Sequence, residues 1–173
     1  MTFMKWSRHF VTGIDLIDGQ HRGLVDLVND VAPLLSAGEP VGAAAAEALL
    51  DRLSEYAQTH FRDEERLMRE GGLGDSCLDR QARSHHAFVQ EVALMRRQVA
   101  ADEPIDGRLL LRFLANWLTL HLLTDDQLMA RQLALIGSGH TPAEAATLAR
   151  EAKEDTAQTV LADALLDLYA VVS

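Results

Sequence analysis

The sequence is poor in the residues that characterise disulfide-bonded, aromatic-rich and membrane-spanning proteins. Its 173 residues include one cysteine, four prolines and only 5% aromatic residues. The single cysteine, Cys77, excludes an internal disulfide and is typical of a reducing compartment. No apolar run reaches the length of about 18 residues that a membrane span needs, and the N-terminus lacks the apolar block of a signal peptide. We therefore expect a cytoplasmic protein with no membrane partner.

Positive charge is also scarce. Sixteen Lys and Arg residues stand against 26 Asp and Glu residues, which gives a net charge of −10. Because nucleic acids attract basic surfaces, this balance argues against a nucleic-acid partner. Hydrophobic residues, by contrast, make up 48% of the chain. Since Ala and Leu dominate and β-branched runs are few, the composition predicts an all-α protein.

Apolar residues recur at spacings of three and four, which predicts four long helices after an irregular N-terminal arm at residues 1–17. The helices are predicted at residues 18–37, 41–70, 79–101 and 105–136, with Asp18 as the first N-cap. Short connections favour antiparallel neighbours, so we expect an up-down-up-down four-helix bundle that forms one domain, residues 1–136.

The remaining residues, 137–173, predict an additional C-terminal helix. Thr141, Pro142 and Glu144 form a capping box with proline at the first helical position, and the helix is expected over 142–172. An apolar stripe runs from Val160 to Val172. Two interpretations stay open: a fifth helix packed on the bundle, or a helix that docks a protein partner or forms a homodimer.

Histidines, carboxylates and one glutamine lie on the inward faces of the four predicted bundle helices. They are His21, His60, Glu64, Gln81, His85, His121 and Asp126. His60 and Glu64 are four residues apart and share a face, as do Gln81 and His85. Asp126 follows His121 by five residues, a rotation of roughly 140° that lets it reach sideways. Glu65 and Asp125 are neighbours of these residues in the sequence, and their side chains are expected to point away from the site.

Polar side chains in a core need partners, and this set predicts a metal site. Imidazole is a good ligand for iron, zinc, copper and nickel. Four histidines alone would leave two separate ions half ligated, whereas two bridging carboxylates complete both shells. The residues therefore predict a dinuclear centre.

Jointly, these residues and their neighbours resemble the bacterial hemerythrins over about residues 3–130. The positions that carry the resemblance are Trp6, Gly13, Ile14, Ile17, Asp18, Gln20, His21, Leu24, Leu27, Asn29, His60, Phe61, Glu64, Glu65, Met68, His85, Phe88, Trp117, Leu118, His121 and Asp126. Each motif alone is weak, but the spaced set is specific.

The resemblance implies two carboxylate-bridged, non-haem iron ions that bind O₂ reversibly in an apolar pocket. His21 and His60 would hold the iron with the open position, and His85 and His121 the other. Glu64 and Asp126 would bridge the pair. Leu24, Trp117 and Leu122 match positions that line the oxygen pocket of the family.

Gln81 departs from the family pattern, which has a histidine at this position. Either its amide oxygen binds the second iron, or it hydrogen-bonds to a water there. His86 lies about 100° around the helix from His85 and is a poor substitute. In both cases we expect the second iron to be bound less tightly.

Three functions follow as hypotheses. The first is an O₂-binding protein for oxygen storage, delivery or sensing, and not an enzyme. The second is a di-iron enzyme that reduces peroxide or nitric oxide, if Gln81 opens the second iron to turnover. The third is a redox- or oxygen-sensing signalling module with the C-terminal helix as its output.

Overall fold

Four long helices dominate the computed structural model, which describes residues 2–38, 41–101 and 103–152. They are α1 (Asp15–Ser36), α2 (Ala43–Glu70), α3 (Asp75–Ala100) and α4 (Gly107–Gly137). Helix α1 packs on α4 and α2, and α3 packs on α2 and α4, so each helix has two neighbours. In the described part of the chain, the only β-pairing is an isolated bridge between Val41 and Ile105. The predicted all-α four-helix bundle is confirmed.

The inward faces predicted from helical spacing are the buried ones. In α1, for example, Leu24, Val28, Val31 and Leu35 are all buried in the main hydrophobic cluster. Helix α2 ends where Gly72 takes a φ of +70° and the Leu73 N–H donates to the Met68 carbonyl at 3.0 Å. A glycine suits this turn because it adopts positive φ without steric cost.

The N-terminal arm lies against the bundle. Met4 and Phe10 are buried, and a short 3₁₀-helix (Arg8–Phe10) packs on α4. Asn29 of α1 ties the arm down, because its side chain pairs with both the N–H and the carbonyl of Met4, at 2.7 and 2.8 Å. The carbonyl of Phe10 is thereby brought close to the inward face of α1.

The prediction of Asp18 as the first N-cap was wrong. Helix α1 begins at Asp15, with Ile14 at the N-cap position. The Asp18 carboxylate accepts hydrogen bonds from the backbone N–H groups of Thr12 and Gly13, at 2.7 and 3.1 Å, so it fixes the preceding turn.

The predicted start of the third helix was also too late. Helix α3 begins at Asp75, ahead of the predicted start at residue 79. Leu73 and Cys77 are held in a second hydrophobic cluster with Ile17, Met68 and Met129. Burial of these side chains favours the extra helical turn over the local preference of the sequence.

A fifth helix, α5, occupies residues 142–152. The predicted capping box is present, since the Thr141 N–H and hydroxyl donate to Glu144 at 2.8 Å and the Glu144 N–H donates back at 3.3 Å. Ala145 and Ala149 are buried. The apolar stripe at residues 160–172 lies outside the described residues, and both interpretations of it, like the domain boundary at residue 136, stay predictions. Within the described ranges, no helix combines the length and apolarity that a membrane span requires.

Candidate metal centre

All seven polar residues predicted at the site come together in the bundle core. Helix α1 contributes His21, α2 contributes His60 and Glu64, α3 contributes Gln81 and His85, and α4 contributes His121 and Asp126. All seven residues are buried, with 5% exposure or less. Such a concentration of buried polar groups is costly unless the groups satisfy one another or a ligand.

The two oxygens of Glu64 face different histidines. Its Oε1 lies 3.6 Å from Nε2 of His60. Its Oε2 lies 3.0 Å from Nε2 of His85 and 3.5 Å from Nε2 of His121. The carboxylate therefore points one oxygen at each half of the cluster.

The two oxygens of Asp126 also face different histidines. Its Oδ2 lies 3.1 Å from Nε2 of His21, and its Oδ1 lies 3.2 Å from Nε2 of His121. The sideways reach predicted from the five-residue spacing is thus realised, because Asp126 contacts histidines of both halves. Two carboxylates that each span both halves have the arrangement that a bridging pair requires.

The potential ligand atoms form two groups. His21, His60, Glu64 and Asp126 make the first, and Glu64, His85 and His121 make the second, with the atoms in each group within 4.8 Å of one another. We call these the first side and the second side of the centre. Nitrogen and carboxylate donors in this combination suit a transition metal such as iron.

Unpartnered atoms test whether the residues fit metal ions. Among the described residues, seven buried side-chain polar atoms have no hydrogen-bond partner, and five of them belong to this centre. These five are Nε2 of His21, His60 and His121, Oε1 of Glu64 and Oδ2 of Asp126. They approach one another without hydrogen-bond geometry. Buried donors and acceptors are normally satisfied, so their convergence fits cation ligands and the donor set fits iron.

The outer nitrogens of the first-side histidines are held by hydrogen bonds. Nδ1–H of His21 donates to the Phe10 carbonyl, and Nδ1–H of His60 donates to Oε1 of Gln20, both at 3.0 Å. Gln20 is itself oriented by a 2.8 Å hydrogen bond to Asp63. Each bond places the proton on Nδ1 and leaves Nε2 as the donor to a metal.

On the second side, the outer nitrogens face carboxylates. Nδ1 of His85 lies 3.3 Å from Glu65, and Nδ1 of His121 lies 3.8 Å from Asp125. The expectation that Glu65 and Asp125 point away from the site was therefore wrong. Each carboxylate instead faces the outer nitrogen of a ring, which is the position from which a carboxylate orients a metal-ligating histidine.

Burial and charge set the protonation of the cluster in the absence of a cation. Burial lowers the pKa of His60 to about 3 against the opposing charge of Glu64. Burial also acts on His121, but the charge of Asp126 and the neighbouring carboxylates outweigh it and raise the pKa of His121 to about 10. Burial and the charge of Glu64 raise the pKa of Asp126 to about 6. A metal that binds here must therefore compete with protons.

Aromatic rings cover one end of the centre. Phe61 stacks on His85 with 3.8 Å between ring centroids, and Trp117 stacks on His121 at 4.5 Å. Behind these rings lies an apolar cavity of about 20 Å³. It is lined by Leu24, Val28, Leu53, Ala57, Phe61, Phe88, Leu114, Trp117 and Leu118. A cavity of this size has room for about one water-sized molecule.

Two of the three predicted pocket residues, Leu24 and Trp117, line this cavity. Leu122 is fully buried but is not among the lining residues, and its pocket role stays a prediction. Sequence reasoning missed Phe61 as a pocket residue, although it directly follows a candidate ligand. It also gave no role to Gln20, which directly precedes another.

Gln81 lies between the two carboxylates. Its Nε2–H₂ group donates to Oε2 of Glu64 at 3.1 Å and to Oδ1 of Asp126 at 2.9 Å. His86, the rejected substitute, is exposed.

Comparisons with known proteins find similar chains over most of the bundle. The family model of the hemerythrin HHE cation binding domain matches residues 12–133. A bacteriohemerythrin of Stenotrophomonas maltophilia is 33% identical over 133 residues, which are 77% of this chain and 83% of the relative. One of Pseudomonas aeruginosa is 31% identical over 126 residues, 73% of this chain and 78% of the relative. A solved crystal structure of a leucine-to-phenylalanine mutant matches with a TM-score of 0.67 and 26% identity, covering 78% of this chain and 99% of that one.

Proposed function

Because this chain belongs to the hemerythrin family, we propose that it holds two non-haem iron ions in the bundle core and binds O₂ reversibly. The observation that carries the proposal is the division of both carboxylates, each with one oxygen toward each half of the cluster. A single ion would need only one such oxygen from each.

The side chains take roles according to the half of the cluster in which they lie. His21 and His60 would hold the first ion, and His85 and His121 would hold the second. Glu64 and Asp126 would bridge the two, and Gln81 stands beside the second. The outer-nitrogen hydrogen bonds from His21 and His60 keep those rings oriented.

When bound, two ferrous ions would supply the electrons that reversible binding of O₂ requires. The chain supplies the dry surroundings. Leu24 follows His21 by three residues in α1, and Ala57 precedes His60 by three residues in α2. Because α1 and α2 are antiparallel, both residues lie at the same level of the bundle. Both line the apolar cavity next to the centre. An apolar lining disfavours water and protons, which would favour release of unchanged O₂ over its irreversible reduction.

The first test is a visible absorption spectrum of the protein, loaded anaerobically with ferrous iron, before and after O₂ is admitted. We expect a charge-transfer band that appears with O₂ and disappears under vacuum. Conversion to a stable ferric spectrum that vacuum does not reverse would refute reversible binding.

A matched pair of variants tests the ligand assignment. His60→Leu removes a fully buried histidine of the first side and should lower the iron content from two ions to one or none. His86→Leu removes an exposed histidine and should leave two ions bound. Elemental analysis of both proteins measures the iron. Retention of two ions in His60→Leu would contradict the assignment.

A second candidate function is reduction of peroxide or nitric oxide at the same centre. Gln81 favours it, because a neutral amide is a weaker ligand than imidazole and leaves the second side more open. Steady consumption of either substrate with an added electron donor, lost in His60→Leu, would support this function over oxygen carriage.

A further inference from the structure

Gln81 hydrogen-bonds to both carboxylates of the centre through one amide group. It is 1% exposed, and its amide nitrogen donates to Glu64 at 3.1 Å and to Asp126 at 2.9 Å. Both acceptor oxygens, Oε2 and Oδ1, are those that face the second side. The amide N–H₂ group therefore stands where it satisfies the oxygens that a second cation would need.

The first side has no such donor. Oε1 of Glu64 and Oδ2 of Asp126, which face His60 and His21, have no hydrogen-bond partner among the described residues. A cation on the first side therefore satisfies atoms that are otherwise unsatisfied. A cation on the second side must instead replace two hydrogen bonds to charged acceptors, which are stronger than neutral ones.

The orientation of the Gln81 amide further disfavours a cation on the second side. An N–H₂ group carries partial positive charge toward whatever it faces, so it repels a cation. The amide oxygen of the same group is a metal ligand. Because the two ends of a carboxamide have almost the same shape, rotation of the terminal torsion exchanges them within the same space.

We propose that Gln81 makes the two sides of the centre fill in order. The first ion binds at His21 and His60 while the Gln81 amide keeps both hydrogen bonds. The second ion binds at His85 and His121 only when the amide turns and presents its oxygen. This inference rests on the proposed dinuclear function and adds to it a residue that controls loading.

Titration of the metal-free protein with Zn²⁺ alone, followed by calorimetry with a competing chelator, tests the order without any reaction. Loss of two charge-assisted hydrogen bonds should make the second dissociation constant about a hundredfold weaker than the first. Gln81→His puts an imidazole in place of the amide, and the two constants should then lie within about tenfold. Gln90→His, the same change at an exposed position of α3, should keep the hundredfold separation.

The amide itself gives a second readout in the unaltered protein. In ¹⁵N-labelled protein, we expect the side-chain N–H₂ resonances of Gln81 to hold their positions through the first equivalent of Zn²⁺ and to shift with the second. Their absence from the spectrum of Gln81→His identifies them.

Two results would overturn the inference. One is binding of two ions in a single step by the unaltered protein, and the other is a shift of the Gln81 resonances with the first equivalent. Either result leaves two bound ions, so the proposed function would survive. Binding of no ion at either side would instead overturn the proposed function together with this inference.

Discussion

Removal of the metal should destabilise the protein strongly, because the centre leaves buried polar atoms unsatisfied. Five such atoms converge in the core, one each from His21, His60, Glu64, His121 and Asp126, and all five residues are 2% exposed or less. A buried donor or acceptor without a partner costs about 1–3 kcal/mol. Each of these atoms lies within 3.6 Å of another polar atom of the cluster, so the lower end of that range applies.

The expected loss follows from that count. At about 1 kcal/mol for each atom, removal of the ions should lower the free energy of unfolding by about 5 kcal/mol. In a protein of this length, 1 kcal/mol corresponds to a change in Tm of about 2–4 °C. We therefore expect Tm to fall by about 10–20 °C when a chelator removes the metal.

Circular dichroism at 222 nm during heating, with the metal-loaded and the chelator-treated protein, measures this change. Glu64→Gln removes the charge that both sides share and should abolish most of the metal-dependent shift. Glu70→Gln makes the same chemical change at an exposed position of α2 and should keep the full shift. A difference in Tm below about 3 °C would refute the reasoning, since the unsatisfied atoms would then cost almost nothing.

Four further predictions concern residues outside the centre. Thr119→Val removes a buried hydroxyl without a partner among the described residues, and urea unfolding should show a gain of about 1 kcal/mol. Burial raises the pKa of the Cys77 thiol, so a thiol reagent at pH 8 should label it more slowly in the folded than in the unfolded protein. Gly107→Ala would place a Cβ 2.6 Å from the Leu35 carbonyl oxygen and should cost about 1–3 kcal/mol. Gly19→Ala meets open space within α1 and should instead gain about 0.5–1 kcal/mol in the same assay.

The sequence was sufficient to predict the bundle and the convergence of the site because both depend on helical spacing. His21, His60, His85 and His121 lie in register with apolar residues that must face inward, so burial of one face brings all four histidines inside. Asp126 is informative for the opposite reason. Its offset from His121 is wrong for a shared face, and a carboxylate at that offset reaches both sides of the centre.

Contacts between distant segments could not be predicted in this way. The start of α3 depends on the burial of Leu73 and Cys77 against Ile17 and Met68, which come from two other helices. Glu65 reaches His85 from a position twenty residues away in sequence. A helical wheel gives only the direction of a Cβ atom, whereas a long side chain covers the adjoining turn. Asp125 lies four residues after His121 and faces its ring, so its contact could have been predicted from the spacing, although it was not.

The position of the cavity follows from the ligands once the helices are known to be antiparallel. One helical turn along the bundle axis toward the cavity leads to higher residue numbers in α1 and α3 and to lower residue numbers in α2 and α4. From the four histidines this step reaches Leu24, Phe88, Ala57 and Trp117, and each of them lines the cavity. The same step in the opposite direction leads toward the second hydrophobic cluster, which contains Ile17 and Met68. The centre therefore lies between the cavity and the second hydrophobic cluster. Within the described residues, a small apolar ligand has room to contact the centre only from the cavity.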